Sequence, residues 1–337
     1  YVGRESLNLI FRGGGLNEIR GNHMSAIDDK ALTKLWKRST DLNNPNRHKA
    51  MFDLAFYLWN NNEHDDAVAV AGGLIDALAD ERGSSLWVEA TRLKSLALHD
   101  SARDEEAIEA ILEAIEFADV IANSLDYAFM QWHLADCYRT TLQEGLQEAA
   151  YRKAINGFAE AGHEYFQGQA LFDLGALLAS RMRYAESREN LTRAVPLLEA
   201  HGRTEHIILT KYKLAFVERK LGDLHVAIGH AQDAMRIAEF SNDLQGQRES
   251  QIELANIHSE LGNNEIADDL LKSLIEDNDV KEKRETAAKA LYSLGQHQLR
   301  NGSSDARGTL ESAVPLLKAV GLKSLAQYAE LSLLHQR

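Results

Sequence analysis

Residues Lys211–Ala238, KYKLAFVERKLGDLHVAIGHAQDAMRIA, decide the fold. Apolar side chains recur at helical spacing on both sides of Leu221-Gly222-Asp223, so the stretch reads as two amphipathic helices joined by a tight turn. Ala215, directly after Leu214, and Ala227 and Ala234 in the second helix are small enough to let the helices approach closely.

The same arrangement recurs every 40 residues. Small residues stand at Ala55, Ser95, Ala135, Gly175, Ala215, Ala255 and Gly295, and the preceding residue is leucine in every case but Lys94. Twelve positions later come Ala67, Ala107, Gln147, Ser187, Ala227, Ala267 and Arg307, and nineteen later Leu74, Ala114, Ala154, Ala194, Ala234, Leu274 and Val314. Gly222, Gly262 and Gly302 mark the turns, while Gly162 and Gly202 sit where second helices end in a left-handed cap. A register of this length marks a solenoid, in which each helix pair packs only on its neighbours. The expected organisation is an N-terminal helix within 24–45, seven repeats over 46–321 and a capping helix over 322–337. On the opening helix, Leu32, Leu35 and Trp36 are expected to share one face. The last repeat reads as shortened by one residue near Ala306.

Composition fits an all-α chain. There are three prolines in 337 residues, and the good helix formers Ala, Leu, Glu, Gln and Arg dominate. A net charge of −14 argues against a general nucleic-acid or anionic-membrane surface, although it leaves room for a local basic strip. The single cysteine, Cys137, forms no internal disulfide and fits a reducing, cytoplasmic setting. No apolar run approaches the roughly 18 residues of a membrane span.

Residues 1–23 stand outside the repeat. They contain Gly13-Gly14-Gly15 and end at Gly21-Asn22-His23 before Met24. One reading makes them a cloning-derived segment, with Met24 as the natural start. The other makes Val2–Arg12, VGRESLNLIFR, a ligand-like segment on a flexible tether, docked on its own or a neighbouring chain.

Gly175, Leu178, Tyr184, Leu191 and Ala194, and equally Ala215, Gly222, Leu224, Ala227 and Ala234, carry a resemblance to the tetratricopeptide repeat family in its 40-residue form. The resemblance runs from about Arg47 to the C-terminus. Lys94, Leu142 and Gln147 depart from the pattern. It implies a right-handed superhelical solenoid of antiparallel helix pairs, with a concave groove lined by the first helix of each pair. Its members are mostly interaction modules, an association rather than a proof. The groove positions it implies include Phe56, Trp59, Arg92, His99, Trp132, Asp136, Arg139, Tyr212, Phe216, Arg219, Asn256 and Tyr292. Tyr, Trp and Arg are the residues that anchor interfaces. The alternative is that the aromatics are core between neighbouring helices.

No Gly-rich phosphate loop, His-Glu-x-x-His or Ser-His-Asp set can be placed in the sequence. His133 and Cys137 lie four apart, a spacing that can put them on one helix face, but no matching carboxylate or second histidine is found in the sequence, so neither a metal nor a cofactor is expected. The run Asp104-Glu105-Glu106 opens a second helix, where it complements the helix dipole and is expected to be solvated. The expected function is a non-enzymatic scaffold that holds a peptide or protein segment in the groove. The alternative is the peptide-sensing module of a signalling system.

Overall fold

Every regular element in the computed structural model, which describes residues 29–121, 124–276 and 284–335, is helical. Residues 1–23, and any docking of 2–12, lie outside that set. The chain divides into two compact units, Tyr1–Ala170 and Leu171–Arg337.

The first unit contains α1 (Asp29–Thr40), α2 (Arg47–Asn60), α3 (His64–Ala77), α4 (Ser85–Asp100), α5 (Asp104–Ile121), α6 (Ser124–Thr140) and α7 (Glu144–Glu160). Each helix packs on the next in sequence, and α2, α4 and α6 also touch one another in order. Helix α8 (Glu164–Ser180) crosses the division between the units. The second unit continues with α9 (Tyr184–Glu199), α10 (Thr204–Leu221), α11 (Leu224–Phe240), α12 (Leu244–Glu260), α13 (Asn264–Glu276), α14 (Arg284–Arg300), α15 (Ala306–Ala319) and α16 (Lys323–Leu334). The pattern repeats there: sequential neighbours pack, and α10, α12 and α14 form a second contact line.

The small-residue column is the hinge of this packing. All seven positions from Ala55 to Gly295 are buried, and so are their partners Ala67, Ala107, Gln147, Ser187, Ala227 and Ala267. Where a hydroxyl replaces a methyl, it finds a carbonyl across the crossing. Ser95 Oγ donates to the Ala107 carbonyl at 2.7 Å, and Ser187 Oγ to the Gly175 carbonyl at 2.7 Å. The bond removes the cost of burying the polar atom. In the last repeat the buried partner is Ala306, not Arg307, and the next is Ala313, not Val314. The missing residue has moved the register back by one.

The turns hold the period even where the side chains do not. Left-handed backbone occurs at Asn62, Ala102, Leu142, Met182, Gly222, Gly262 and Gly302, with φ between 56° and 89° across the left-handed non-glycines and turn glycines. Gly162, Gly202 and Asn242 do the same after second helices. Leu142 therefore adopts the geometry although glycine is absent, because the helices on both sides fix where the chain must reverse. On α1 the inner face is Leu35 and Ser39, with Leu32 half-buried. Trp36 is exposed because it lies one residue, about 100° of helix, past Leu35.

Candidate functional site

In the first unit, most of the expected groove residues turn inward. Trp132 is sealed in an aromatic cluster, with ring centroids 6.4 Å from Phe129, 5.7 Å from Phe158 and 6.3 Å from Phe166, and is core. Trp59 is buried, and its Nε1 donates to Asp100 Oδ2 at 2.8 Å, while the half-buried Phe56 rests against it at 5.8 Å. Arg92 is buried, with Nη1 donating to Asp126 Oδ1 at 3.1 Å. Asp136 is buried beneath the exposed Arg139, whose Nε donates to it at 3.3 Å. Large rings at these positions remove more apolar area from water by filling the space between successive repeats than by lining an open face.

His99 is also drawn inward. Its Nδ1 meets Asp104 Oδ1 at 2.5 Å and Cys137 Sγ at 3.8 Å, and Cys137 Sγ lies 3.6 Å from His133 Nε2. Asp104 is therefore held by an imidazole and is not free in solvent. Burial holds the His133 pKa down to about 3, so the ring is neutral, and burial pushes the Cys137 thiol well above its usual range. A buried, protonated thiol is not a nucleophile.

The second unit keeps a different set together. Phe216 on α10 is half-buried and carries three cations around its ring. Lys213 Nζ lies 5.7 Å from the ring centroid, Arg219 Cζ 5.4 Å and Lys220 Nζ 5.6 Å, and Lys213 also sits 5.8 Å from the Tyr212 ring. All are within cation–π range. Lys213 and Lys220 stand three before and four after Phe216, which places the three side chains on one helix face. That spacing was available in the sequence, but the groove positions implied by the repeat do not include the two lysines.

Arg219 is 7% exposed and fixed by α12. Its Nε donates to Glu253 Oε1 at 2.7 Å and its Nη1 to Glu260 Oε1 at 2.7 Å. Burial opposes its charge, but the two carboxylates outweigh burial and raise its pKa. The lysines are treated differently. Burial pulls the Lys213 pKa below its ordinary value despite Glu253 and Glu249 nearby, and burial together with Arg219 does the same to Lys220. Neither lysine has an ion-pair partner among the described residues; each is left to the Phe216 ring. Asn256 on α12 and Tyr292 on α14 are half-buried, and burial raises the Tyr292 pKa against the opposing pull of Arg300 and Arg219. Tyr212, Lys213 and Phe216 are half-buried, Arg219 is buried and Lys220 is exposed. A depression of about 580 Å³ lined by Val226, His230 and Arg236, and another of about 370 Å³ lined by Leu209, Gln245 and Glu249, contain none of the Phe216 cluster.

Within each unit, helix pairs closed by small buried residues stack with their first helices in contact from repeat to repeat, the packing of a helical-repeat solenoid. The fold is that of tetratricopeptide repeat proteins: residues 10–123 match the tetratrico peptide repeat family model. No curated protein matches the chain. Among solved structures, the apo form of RapI is 16% identical, covers 79% of this chain and 99% of its own, and superposes with a TM-score of 0.60. BtubC (BKLC) from P. vanneervenii is 17% identical, with 65% and 94% covered and a TM-score of 0.57. The apo form of the quorum sensor NprR from B. thuringiensis is 14% identical, with 90% and 91% covered and a TM-score of 0.56. At these identities the likeness is one of fold. Among the described residues no helix is long and apolar enough to cross a membrane.

Proposed function

We propose that the protein is a binding module, not an enzyme, and that the face formed by α10, α12 and α14 holds an extended peptide segment rich in carboxylates. The observation that carries this reading is Phe216, ringed by Lys213, Arg219 and Lys220, with neither lysine in an ion pair with a described residue. An ammonium group partly withdrawn from water is stabilised by an anion placed beside it. The Phe216 and Tyr212 rings supply the apolar area that a peptide covers, and Asn256 offers an amide to its backbone.

The cationic cluster is small and bordered by Glu249, Glu253 and Glu260, in a chain of net charge −14. It suits one or two carboxylates better than a phosphodiester polymer. Val2–Arg12, with two arginines and one glutamate, brings the wrong charge to this face. The favoured occupant is therefore a segment of another protein.

Isothermal titration of the intact chain with acid-rich peptides tests this. Replacing Asp and Glu by Asn and Gln in the peptide, or Lys213→Met or Phe216→Ala in the protein, is expected to weaken binding at least tenfold without loss of helical signal. Equal affinity for the acidic and amidated peptides overturns the reading. A sensor role, which the likeness in fold to a quorum sensor brings to mind, adds a requirement: small-angle scattering must show a change in dimensions when peptide is bound.

A further inference from the structure

The polar cluster in the first unit is set apart from the rest of the repeat. Four donor-bearing side chains from three successive helices converge there: His99 at the end of α4, Asp104 as the first residue of α5, and His133 and Cys137 one turn apart on α6. Ligand atoms of His99, Asp104 and Cys137 all lie within 4.8 Å of one another. Cys137 Sγ is 3.8 Å from His99 Nδ1 and 3.6 Å from His133 Nε2, and the two imidazoles meet edge to face at 5.5 Å. The repeat itself does not demand this. Residues 40 and 80 positions away from Cys137 are Ala97, Leu177, Val217 and Tyr57, so ordinary packing at this position takes an apolar or aromatic side chain.

We propose that His99, Asp104 and Cys137, with His133 as the fourth ligand, form a binding site for a single zinc-class divalent cation. Zinc binds nitrogen at about 2.0–2.1 Å and thiolate sulfur at about 2.3 Å, so neighbouring ligand atoms in a tetrahedral site stand roughly 3.3–3.6 Å apart. The two sulfur–nitrogen separations already lie close to that range. The His99–Asp104 contact of 2.5 Å is a hydrogen bond and must open by roughly 0.8 Å. His133 lies outside the set of atoms within 4.8 Å of one another, so its ring must turn toward the metal and give up its 2.9 Å contact with Ser95 Oγ.

The donor set fits the ion. One thiolate and one carboxylate neutralise a divalent charge, and two imidazoles complete a borderline-soft tetrahedron. Binding replaces the thiol proton: the S–H bond breaks, an S–metal bond forms and one proton leaves to solvent, while each neutral imidazole shifts its N–H to the ring nitrogen away from the metal, Nε2 in His99 and Nδ1 in His133. There is also a way in. The side chains of His99 and Asp104 are 20% and 16% exposed, whereas Cys137 and His133 are buried behind them. A cation reaches the outer pair first and then the sulfur. Once bound, it ties α4, α5 and α6 together at one point.

Cobalt(II) titration of the intact, tag-free chain tests the proposal. The expected result is one ion per chain, with visible bands of tetrahedral cobalt and a near-ultraviolet sulfur-to-cobalt charge-transfer band, both abolished by an equivalent of zinc. Cys137→Ser, nearly isosteric and so expected to fold, removes the charge-transfer band. His99→Ala and Asp104→Ala weaken cobalt affinity at least tenfold. Circular dichroism of each metal-free variant establishes that the fold is intact. Absence of binding, binding without the sulfur band, or an unchanged band in Cys137→Ser overturns the proposal.

Discussion

The close approach of paired helices can be tested by adding one methyl group in two places. At Gly295, on α14, a Cβ would stand 2.6 Å from both Cγ and Cδ2 of Leu310 and 3.4 Å from its backbone nitrogen. Carbon atoms prefer about 3.5–4.0 Å, so the overlap is roughly 1 Å. Leu310 is fully buried and cannot swing away. At Gly229, on α11, a Cβ would meet nothing within 4 Å. Gly→Ala inside a helix gains about 1 kcal/mol from backbone entropy at either site. At Gly295 that gain is set against an overpacking cost of about 1–3 kcal/mol, so the overlap is expected to win by about 1 kcal/mol. Gly229→Ala should raise the urea midpoint, read by far-ultraviolet circular dichroism at constant slope, and Gly295→Ala should lower it. If Gly295→Ala stabilises as much as Gly229→Ala, the crossing is not tight and the small-residue column does not have the role given to it.

Other substitutions test other parts of the structure. Leu142 and Met182 hold φ of 58° and 59° while their side chains are exposed. Leu142→Gly and Met182→Gly should therefore each stabilise by about 0.5–1 kcal/mol in thermal unfolding, and Gly222→Ala should destabilise by about the same. Arg219→Met leaves the Glu253 carboxylate buried without its partner and should cost about 3–5 kcal/mol in urea unfolding, while adding Glu253→Leu should recover most of the loss. Burial lowers the His297 pKa, outweighing the nearby Asp268 carboxylate. The folded chain then binds fewer protons than the unfolded chain near the ordinary histidine value. Stability from this group is present above about pH 6.5 and is lost as pH falls from there through the lower folded value, and His297→Gln should flatten that part of the stability–pH curve.

The architecture was legible because close helix crossings leave a trace at single positions. Ala215 and its equivalents are small for a steric reason, and sterics do not depend on distant context. Even the shortened last repeat is visible near Ala306, although the fixed spacing points to Arg307 and Val314 where the chain buries Ala306 and Ala313. The candidate site was harder. Trp132 and Tyr212 stand at equivalent positions in their repeats, yet the first is core and the second borders a half-open face, because Phe129, Phe158 and Phe166 enclose one and not the other. Lys213 and Lys220 were visible only as helical neighbours of Phe216. The meeting of His99 and Asp104 with Cys137 depends on helix packing across 38 residues, which no local spacing reports.

The central claim is that a partner lies along α10, α12 and α14. Photo-cross-linking of the intact chain with an acid-rich peptide that carries a photoreactive group, followed by peptide mapping, tests it most directly. The expected adducts fall on Tyr212, Lys213, Phe216, Lys220, Asn256 and Tyr292, and disappear when unlabelled peptide is added in excess. Competed adducts confined to α11, around Val226, His230 and Arg236, would contradict the claim.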